Sequence, residues 1–360
     1  MKKLFCVILS LLLCANLVTL SFAMDTNQEH VSIEDLDAIE TVLKAIAHEK
    51  EYYGFDGVDL SKLQLGTKIP LYEVKANKIY PIETTTFYPI LDEFGKIVVI
   101  SAVAAVFGEG PKAYISSELI PTISKYPDNS QIALIFDKIG VHCWDGNSTV
   151  LLEENSIPSG RTELSEVQLS EYNSVVIKPI SPQCNINIDD VPLPIGYGDE
   201  AAFVNAPVKR QPSKSNWCWA ACMASIVQHE TGTWYSCSQM ANIYTTDKEE
   251  GAYIEDVQDR LSSFGLDYTM CSDGYLTDIL NTLGHGHLVY SRFVDYRVSH
   301  AMIIRGIDFG SKTFSVMDPN ASGDSYASGQ ISFSQGNYGT LTYVPLSYGF
   351  PLTMMAYLYM

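Results

Sequence analysis

The sequence predicts an α+β chain. A β-rich first half with a leading helix is followed by a second domain in which a helix after Cys218 precedes strands. Three observations carry this. Ile33, Leu36, Ile39, Leu43 and Ile46 recur at helical spacing. Short β-rich runs broken by Gly, Pro, Asn and Asp fill residues 66–180. After Cys218, an alanine-rich stretch gives way to apolar strand patterns near His300 and Phe314. With 360 residues, 46% of them apolar, the chain has material for one large or two ordinary cores.

Residues 1–23 read as a secretory signal: Lys2 and Lys3, an apolar run over 4–13, then Ser21-Phe22-Ala23 as a small-x-small cleavage pattern. Asn16, Thr19 and Ser21 interrupt the run, leaving it short for a span of ~20 residues. Leu13 is large where a lipid-attachment site has a small residue before its cysteine. The expectation is a secreted, extracellular protein with no membrane partner after cleavage. Residues 350–360 read as a final buried strand.

The leading helix takes Ser32 as N-cap with Asp35 three residues on, and fades at Tyr53-Gly54. Strands are expected over 69–74, 79–82, 87–91, 97–103, 131–136 and 174–180, mostly antiparallel, forming a first domain over 24–185. Residues 186–204 read as linker, within a stretch where Pro182, Pro192, Pro194, Pro207 and Pro212 fall among Asp, Asn and Gly. The second domain takes 205–360.

Charge divides along the same line. The chain has 42 acidic and 23 basic side chains, net −19; residues 201–360 hold 14 and 9, leaving 28 and 14 for residues 1–200. The halves therefore carry −5 and −14, and such acidity excludes a broad nucleic-acid-binding role, which needs a basic footprint. Signal removal leaves Cys143, Cys184, Cys218, Cys222, Cys237 and Cys271. Export permits disulfides, and their pairing stays open.

The segment from Gln211 to His229 carries the chemistry. A polar stretch ends at Asn216, and Ala220, Ala221, Met223, Ala224, Ile226 and Val227 then favour helix, so Cys218 falls at a helix N-terminus. The partial positive charge there stabilises a thiolate. Trp217 and Trp219 are placed to wall a cleft. Downstream, a strand entered at His300 and a second ending in Asp318-Pro319-Asn320 make a hairpin that sets His300 beside Asp318 or Asn320. Either residue would orient the imidazole, which would pair with the Cys218 thiolate. Gln211 is a candidate second donor, with the Cys218 N–H, for an oxyanion hole. Asp318 is favoured over Asn320 because it closes the apolar strand and Pro319 fixes the following turn.

Gln211…Trp217-Cys218-Trp219-Ala220-Ala221, His300-Ala301-Met302…Gly306 and Asp318-Pro319 resemble the papain-like cysteine peptidases. The small bacterial secreted branches are the nearest match: staphopain-like enzymes, double-glycine leader peptidases and effector peptidases with a W-C-W-A-A core. The resemblance spans roughly 205–345. It implies a helical subdomain bearing the cysteine, a bent sheet bearing His and Asn/Asp, and peptide hydrolysis through a thioester, with no cofactor and no metal. The gap from Gln211 to Cys218 is one residue longer than in papain itself, and Asp-Pro is closer to the leader-peptidase branch.

Cys222 reads as a buried small residue or a disulfide partner. Cys218, Cys222 and His229 share one helical face, but only Cys237 stands near as a fourth zinc ligand, against the paired short spacings of closed sites. His285 and His287 sit in a connection between a helix over 276–283 and a strand over 288–290, as exposed imidazoles or a substrate contact. His229 is expected on the exposed helix end. Tyr326, Tyr338, Tyr343, Tyr348 and Phe350 read as sheet core or surface rather than a carbohydrate platform.

The functional expectation is a secreted cysteine endopeptidase acting on peptide or protein substrates and made as a zymogen. In it, residues 24–185 serve as pro-domain, an intramolecular inhibitor or chaperone. The alternatives are a papain-like acyltransferase, transamidase or cell-wall peptide hydrolase, and a non-catalytic surface-binding protein on a degenerate peptidase scaffold. The D-C-S-G pattern of common cell-wall cysteine peptidases is absent from the sequence.

Overall fold

Helical spacing of apolar residues makes Ile33–Ile46 helix α1, which buries Ile39, Val42, Leu43 and Ile46 and leaves Ile33 in solvent. The computed structural model describes residues 31–47, 55, 57–105, 110–126, 130–154, 161–164, 172–183, 201–213, 215–320 and 326–360. The expected signal over 1–23, the fading of the first helix at Tyr53-Gly54, and residues 186–200 of the expected linker lie outside the described residues. So does Cys184.

Strands follow α1 closely: β1 (Gln64–Gly66), β2 (Leu71–Lys75), β3 (Lys78–Pro81), β4 (Thr85–Leu91), β5 (Ile97–Ala105) and β6 (Pro111–Ser116). A one-turn helix, α2 (Ile120–Ile123), leads to β7 (Gln131–Phe136), β8 (Gly140–Trp144), β9 (Thr149–Glu154), β10 (Val175–Val176) and β11 (Pro179–Gln183). The run expected over 174–180 is two strands, because β10 pairs with β7 while β11 pairs with β1. One sheet is ordered β3-β2-β7-β8-β9, with β10 also on β7; its β2–β7 pair is parallel.

The remaining elements are β12 (Ala201–Phe203), α3 (Cys218–Thr231), α4 (Cys237–Asn242), α5 (Ile254–Ser262), β13 (Thr269–Cys271) and α6 (Thr277–Gly284). They end with β14 (Val289–Asp295), β15 (Val298–Asp308), β16 (Thr313–Met317), β17 (Tyr326–Gln335), β18 (Tyr338–Tyr343) and β19 (Leu352–Tyr359). The resemblance implies a bent antiparallel sheet here. The strands are antiparallel: β17, β16, β15, β14, β19 and β18 pair in turn, and β18 pairs back onto β17, closing a β-barrel. Register shifts at Arg292/Phe293, Ile304/Gly306 and Phe333/Gln335 supply the bends that closure needs. Helix α3 packs on the barrel through Ala220, Ala221, Met223, Ala224 and Val227, all fully buried.

Glycine sets two close approaches. β12 runs antiparallel to β15, and a Cβ at Gly306 would stand 2.1 Å from the Phe203 ring. A Cβ at Gly329 would meet the Phe314 ring at the same distance, 2.1 Å.

The larger sheet does not stop at the barrel. Its path runs β11-β1-β4-β5-β6 and continues into β17, where Ser116 pairs with Ala327. Ser328 Oγ accepts the Ile115 N–H at 3.0 Å, Gln330 Nε2 donates to the Ala113 carbonyl at 3.0 Å, and Lys112 Nζ donates to Ser332 Oγ at 2.7 Å. Sequence before and after residues 186–204 thus shares one sheet. Among the described residues no helix is long and apolar enough to cross a membrane.

Candidate active site

Helix α3 begins at Cys218, the position that the polar-to-alanine switch predicts. Trp217 precedes it with φ −93° and ψ 22°, and no side chain caps the helix; the Ala220 and Ala221 N–H groups donate to Trp217 O, while the Trp219 N–H reaches the Cys218 sulfur. Gly232 ends the helix in the left-handed region at φ +73°. Asn216 and the two tryptophans pin this helix start to one loop. The Asn216 N–H and Nδ2 donate to Lys248 O (2.7 Å) and Glu249 O (2.8 Å), and Trp217 Nε1 and Trp219 Nε1 donate to Asp247 O (2.9 Å) and Glu250 O (3.4 Å). Trp217 and Trp219 are 3% and 1% exposed, so they are buried anchors and not the cleft walls their sequence position suggests. Arg260 lies over the Trp219 ring at 4.2 Å.

β15 and β16 form the expected hairpin, with Ile303 opposite Met317. Its register carries His300 and the residue just past β16, Asp318, to one end of the barrel. His300 Nε2 lies 2.6 Å from Asp318 Oδ1, with both side chains buried. The same Oδ1 accepts the Asn320 N–H at 2.8 Å, which orients the carboxylate. Asn320 does not reach the imidazole; its Nδ2 donates to Tyr348 Oη at 2.9 Å. The Tyr348 ring stands edge-on to His300 with centroids 5.7 Å apart.

Cys218 meets His300 on the imidazole's other side. Burial pushes the thiol's pKa up, but the hydrogen bond and charge of His300 and the N–H groups of Ala301 and Trp219 more than offset it, leaving it below the ordinary thiol value. Burial likewise disfavours charge on His300, yet the Asp318 carboxylate and the Cys218 sulfur raise it to about 10. Both shifts favour a thiolate–imidazolium pair. No other described thiol shares this setting: burial raises Cys143 to about 11 and Cys237 to about 12, and holds Cys222 well above its ordinary value. All five described cysteines are free.

Gln211 lies beside the hairpin's end, its N–H donating to Pro319 O at 3.1 Å. Its Nε2 donates to Ser215 O at 3.1 Å, and its Oε1 is buried without a hydrogen-bond partner. One Nε2 hydrogen is therefore committed to the loop before Cys218 and one remains.

Three further histidines lie at the other end of α3. His287 Nδ1 is 2.8 Å from Glu230 Oε2, His229 Nε2 is 2.7 Å from Gly286 O, and His285 Nδ1 is 2.8 Å from Asn281 O. Twelve residues of helix separate Glu230 from Cys218, about 18 Å at 1.5 Å per residue, so these imidazoles tie the 284–287 turn to the helix. His229 is half-buried in that junction and not on a solvated helix end. Among the described residues no group of three or more His, Cys, Asp or Glu is placed to hold a metal ion.

Tyr348 reads from sequence as core or surface and nothing local marks Glu118 or Arg161, yet all three converge on the site. Glu118, fully buried, accepts the N–H groups of Leu346 (2.6 Å) and Ser347 (3.2 Å). Arg161 Nη2 donates to Tyr348 O at 2.8 Å. Only distance along the chain hid them, since no local pattern marks a lone Glu or Arg.

Comparison with known proteins agrees with this chemistry. No curated protein matches the chain. Residues 203–345, which include Gln211, Cys218, His300 and Asp318, match the model of the Peptidase_C39 like family, and this match supports a cysteine peptidase family of the papain-like kind.

Proposed function

We propose that the protein is a secreted cysteine endopeptidase in which Cys218 is the nucleophile, His300 the general base and acid, and Asp318 the residue that orients the imidazole. The observation that carries this reading is the alignment of a thiol at a helix start, a buried imidazole and a buried carboxylate 2.6 Å behind it. In the reaction the thiolate attacks the scissile carbonyl carbon, and the oxygen's negative charge is met by the Cys218 N–H and the remaining Gln211 Nε2 hydrogen. His300 gives its proton to the leaving amine as the C–N bond breaks, leaving a thioester on Cys218. Water then loses a proton to His300 and attacks the thioester, releasing the acid and the thiolate.

The basic start, apolar run and small-x-small pattern of residues 1–23 support export. The proline-rich stretch around 186–204 supports a precursor that is cut there on activation. The papain-like arrangement of a helix and sheet flanking a cleft is the geometry this mechanism uses, with the barrel as this chain's version of the sheet.

The test is hydrolysis of an unfolded protein by the purified full-length chain, with muropeptides and an amine acceptor supplied in parallel. A thiol-directed epoxide should label Cys218 and stop proteolysis, and Cys218→Ala should have none. Muropeptide cleavage or amide transfer without proteolysis would replace this reading with another acyl-transfer reaction. Proteolysis that survives Cys218→Ala would end it.

A further inference from the structure

The stretch 344–350, which joins β18 to β19, is seated by residues that precede the proline-rich linker. Leu346 and Ser347 give their N–H groups to Glu118. Tyr348 receives Arg161 on its carbonyl at 2.8 Å. Val344 and Leu346 are fully buried in one cluster with Ile69, Phe87, Ile100 and Phe136. Phe350 stacks on Tyr348 (centroids 5.7 Å, 18° between planes) and lies under the Arg161 guanidinium at 5.7 Å. Gly349, at φ +71°, passes so close to Phe136 that a Cβ would stand 3.2 Å from its ring. On its other side the same stretch faces the reacting groups, since Tyr348 holds Asn320 Nδ2 and abuts the His300 ring.

We propose that residues 33–183 are a permanent half of the working peptidase and not a detachable pro-segment, with Glu118 and Arg161 as positioning residues that act through Tyr348 on His300 and Asp318. The inference rests on the peptidase reading above for its activity readout. It also explains an otherwise costly choice: Glu118 is a fully buried acid near Asp318, and burial together with the charge of Asp318 raises its pKa to about 7. Tyr348 also lies within its electrostatic reach. A side chain so placed is explained by the two N–H groups it satisfies on the stretch that carries Tyr348. The shared sheet at Ser116–Ala327 and the hydrogen bonds of Lys112, Ile115 and Gln330 supply the permanence, because a cut in 184–200 leaves all of them intact.

Three measurements on the full-length chain test this. Glu118→Ala and Arg161→Ala should lower kcat on the order of 10- to 100-fold with KM little changed, as a displacement of about 1 Å at the site would. Glu118→Gln, which keeps one acceptor, should recover part of the loss. The pH profile of Cys218 alkylation by iodoacetamide should move toward an ordinary thiol in the alanine variants, whereas a merely structural loss would leave it in place in the folded fraction. This readout needs no peptidase activity, so it separates failure of the positioning claim from failure of the peptidase reading. Finally, a specific protease site inserted in 184–200 and cut under native conditions should leave both fragments co-eluting and active. Alanine variants with wild-type kcat and an unshifted alkylation profile would overturn the positioning role. Fragments that separate while residues 201–360 keep full activity would overturn the permanent half.

Discussion

His300 Nε2 and Asp318 Oδ1 are 2.6 Å apart in surroundings that leave each residue only 2% exposed. At that depth a lone imidazolium or a lone carboxylate would be expensive, so each justifies the other's charge. Asp318 also has a second buried oxygen, Oδ2, without a hydrogen-bond partner. The pair stands directly behind the sulfur of Cys218, and the predictions below follow from that order.

Alkylation of Cys218 should begin below the pH at which an ordinary thiol reacts, since its pKa is depressed by His300 and by the N–H groups of Ala301 and Trp219 despite burial. His300→Ala should move the iodoacetamide profile up to the ordinary thiol range and lower kcat roughly 10²–10⁴-fold. The sign for stability follows from the raised pKa of His300. Its contribution is complete below the unfolded value of about 6.5 and is lost as pH rises through about 10. Chemical denaturation across that range checks it.

Asp318→Asn should reduce kcat by about 10²–10⁴ while the fold persists, because the amide lacks the charge that stabilises the buried imidazolium. Asn320→Ala should cost about tenfold, by loss of the 2.9 Å hydrogen bond to Tyr348. Steady-state kinetics on both variants would distinguish the residue that touches His300 from the one that braces its neighbour. Equal losses would contradict the assignment.

Limited labelling at neutral pH, mapped by peptide mass spectrometry, should modify Cys218 first. Half-buried Cys271, hydrogen-bonded to Asp273 at 2.8 Å, should follow slowly. Cys143, Cys222 and Cys237 should stay unmodified until the protein unfolds, since burial raises all three.

Gly306→Ala should destabilise the protein by about 1–3 kcal/mol in denaturant titration, since its Cβ would stand 2.1 Å from the Phe203 ring. Phe203→Ala in the same chain should recover part of the loss by vacating that space.

Glu118 makes a second pH signature of opposite origin. Its folded pKa of about 7 lies above the unfolded value of about 4.5, so the folded state holds its proton more tightly. The Glu118 contribution should therefore fall as pH rises from about 4.5 to about 7, by something on the order of 3 kcal/mol, and then level off, leaving the His300 loss at higher pH. Glu118→Gln should flatten that slope in denaturation curves.

Much of the site was legible in local sequence because its parts are local signals. The switch from polar residues at 211–216 to alanines after Cys218 marks a helix start, and apolar runs ending at Asp318-Pro319 mark a hairpin's edge. What stayed hidden depends on chain neighbours far apart. Barrel closure needs β18 to pair on both edges, which no single strand's pattern announces. β6, β8 and β9 were not anticipated, and the parallel partner of β2 lies some sixty residues on. Trp217 and Trp219 marked the location, but the carbonyls that take their N–H groups lie on a loop thirty residues downstream, which no local pattern connects to them. Glu118 reaches across more than two hundred residues to Leu346, so nothing near either one in sequence connects them.

The most direct test of the whole account is to quench turnover of a peptide substrate in acid and weigh the protein. An acyl group from the substrate's N-terminal side should be found as a thioester on the Cys218 peptide, and it should vanish in Cys218→Ala together with the activity. Turnover with no acyl adduct, carried on undiminished by Cys218→Ala, would contradict the central claim.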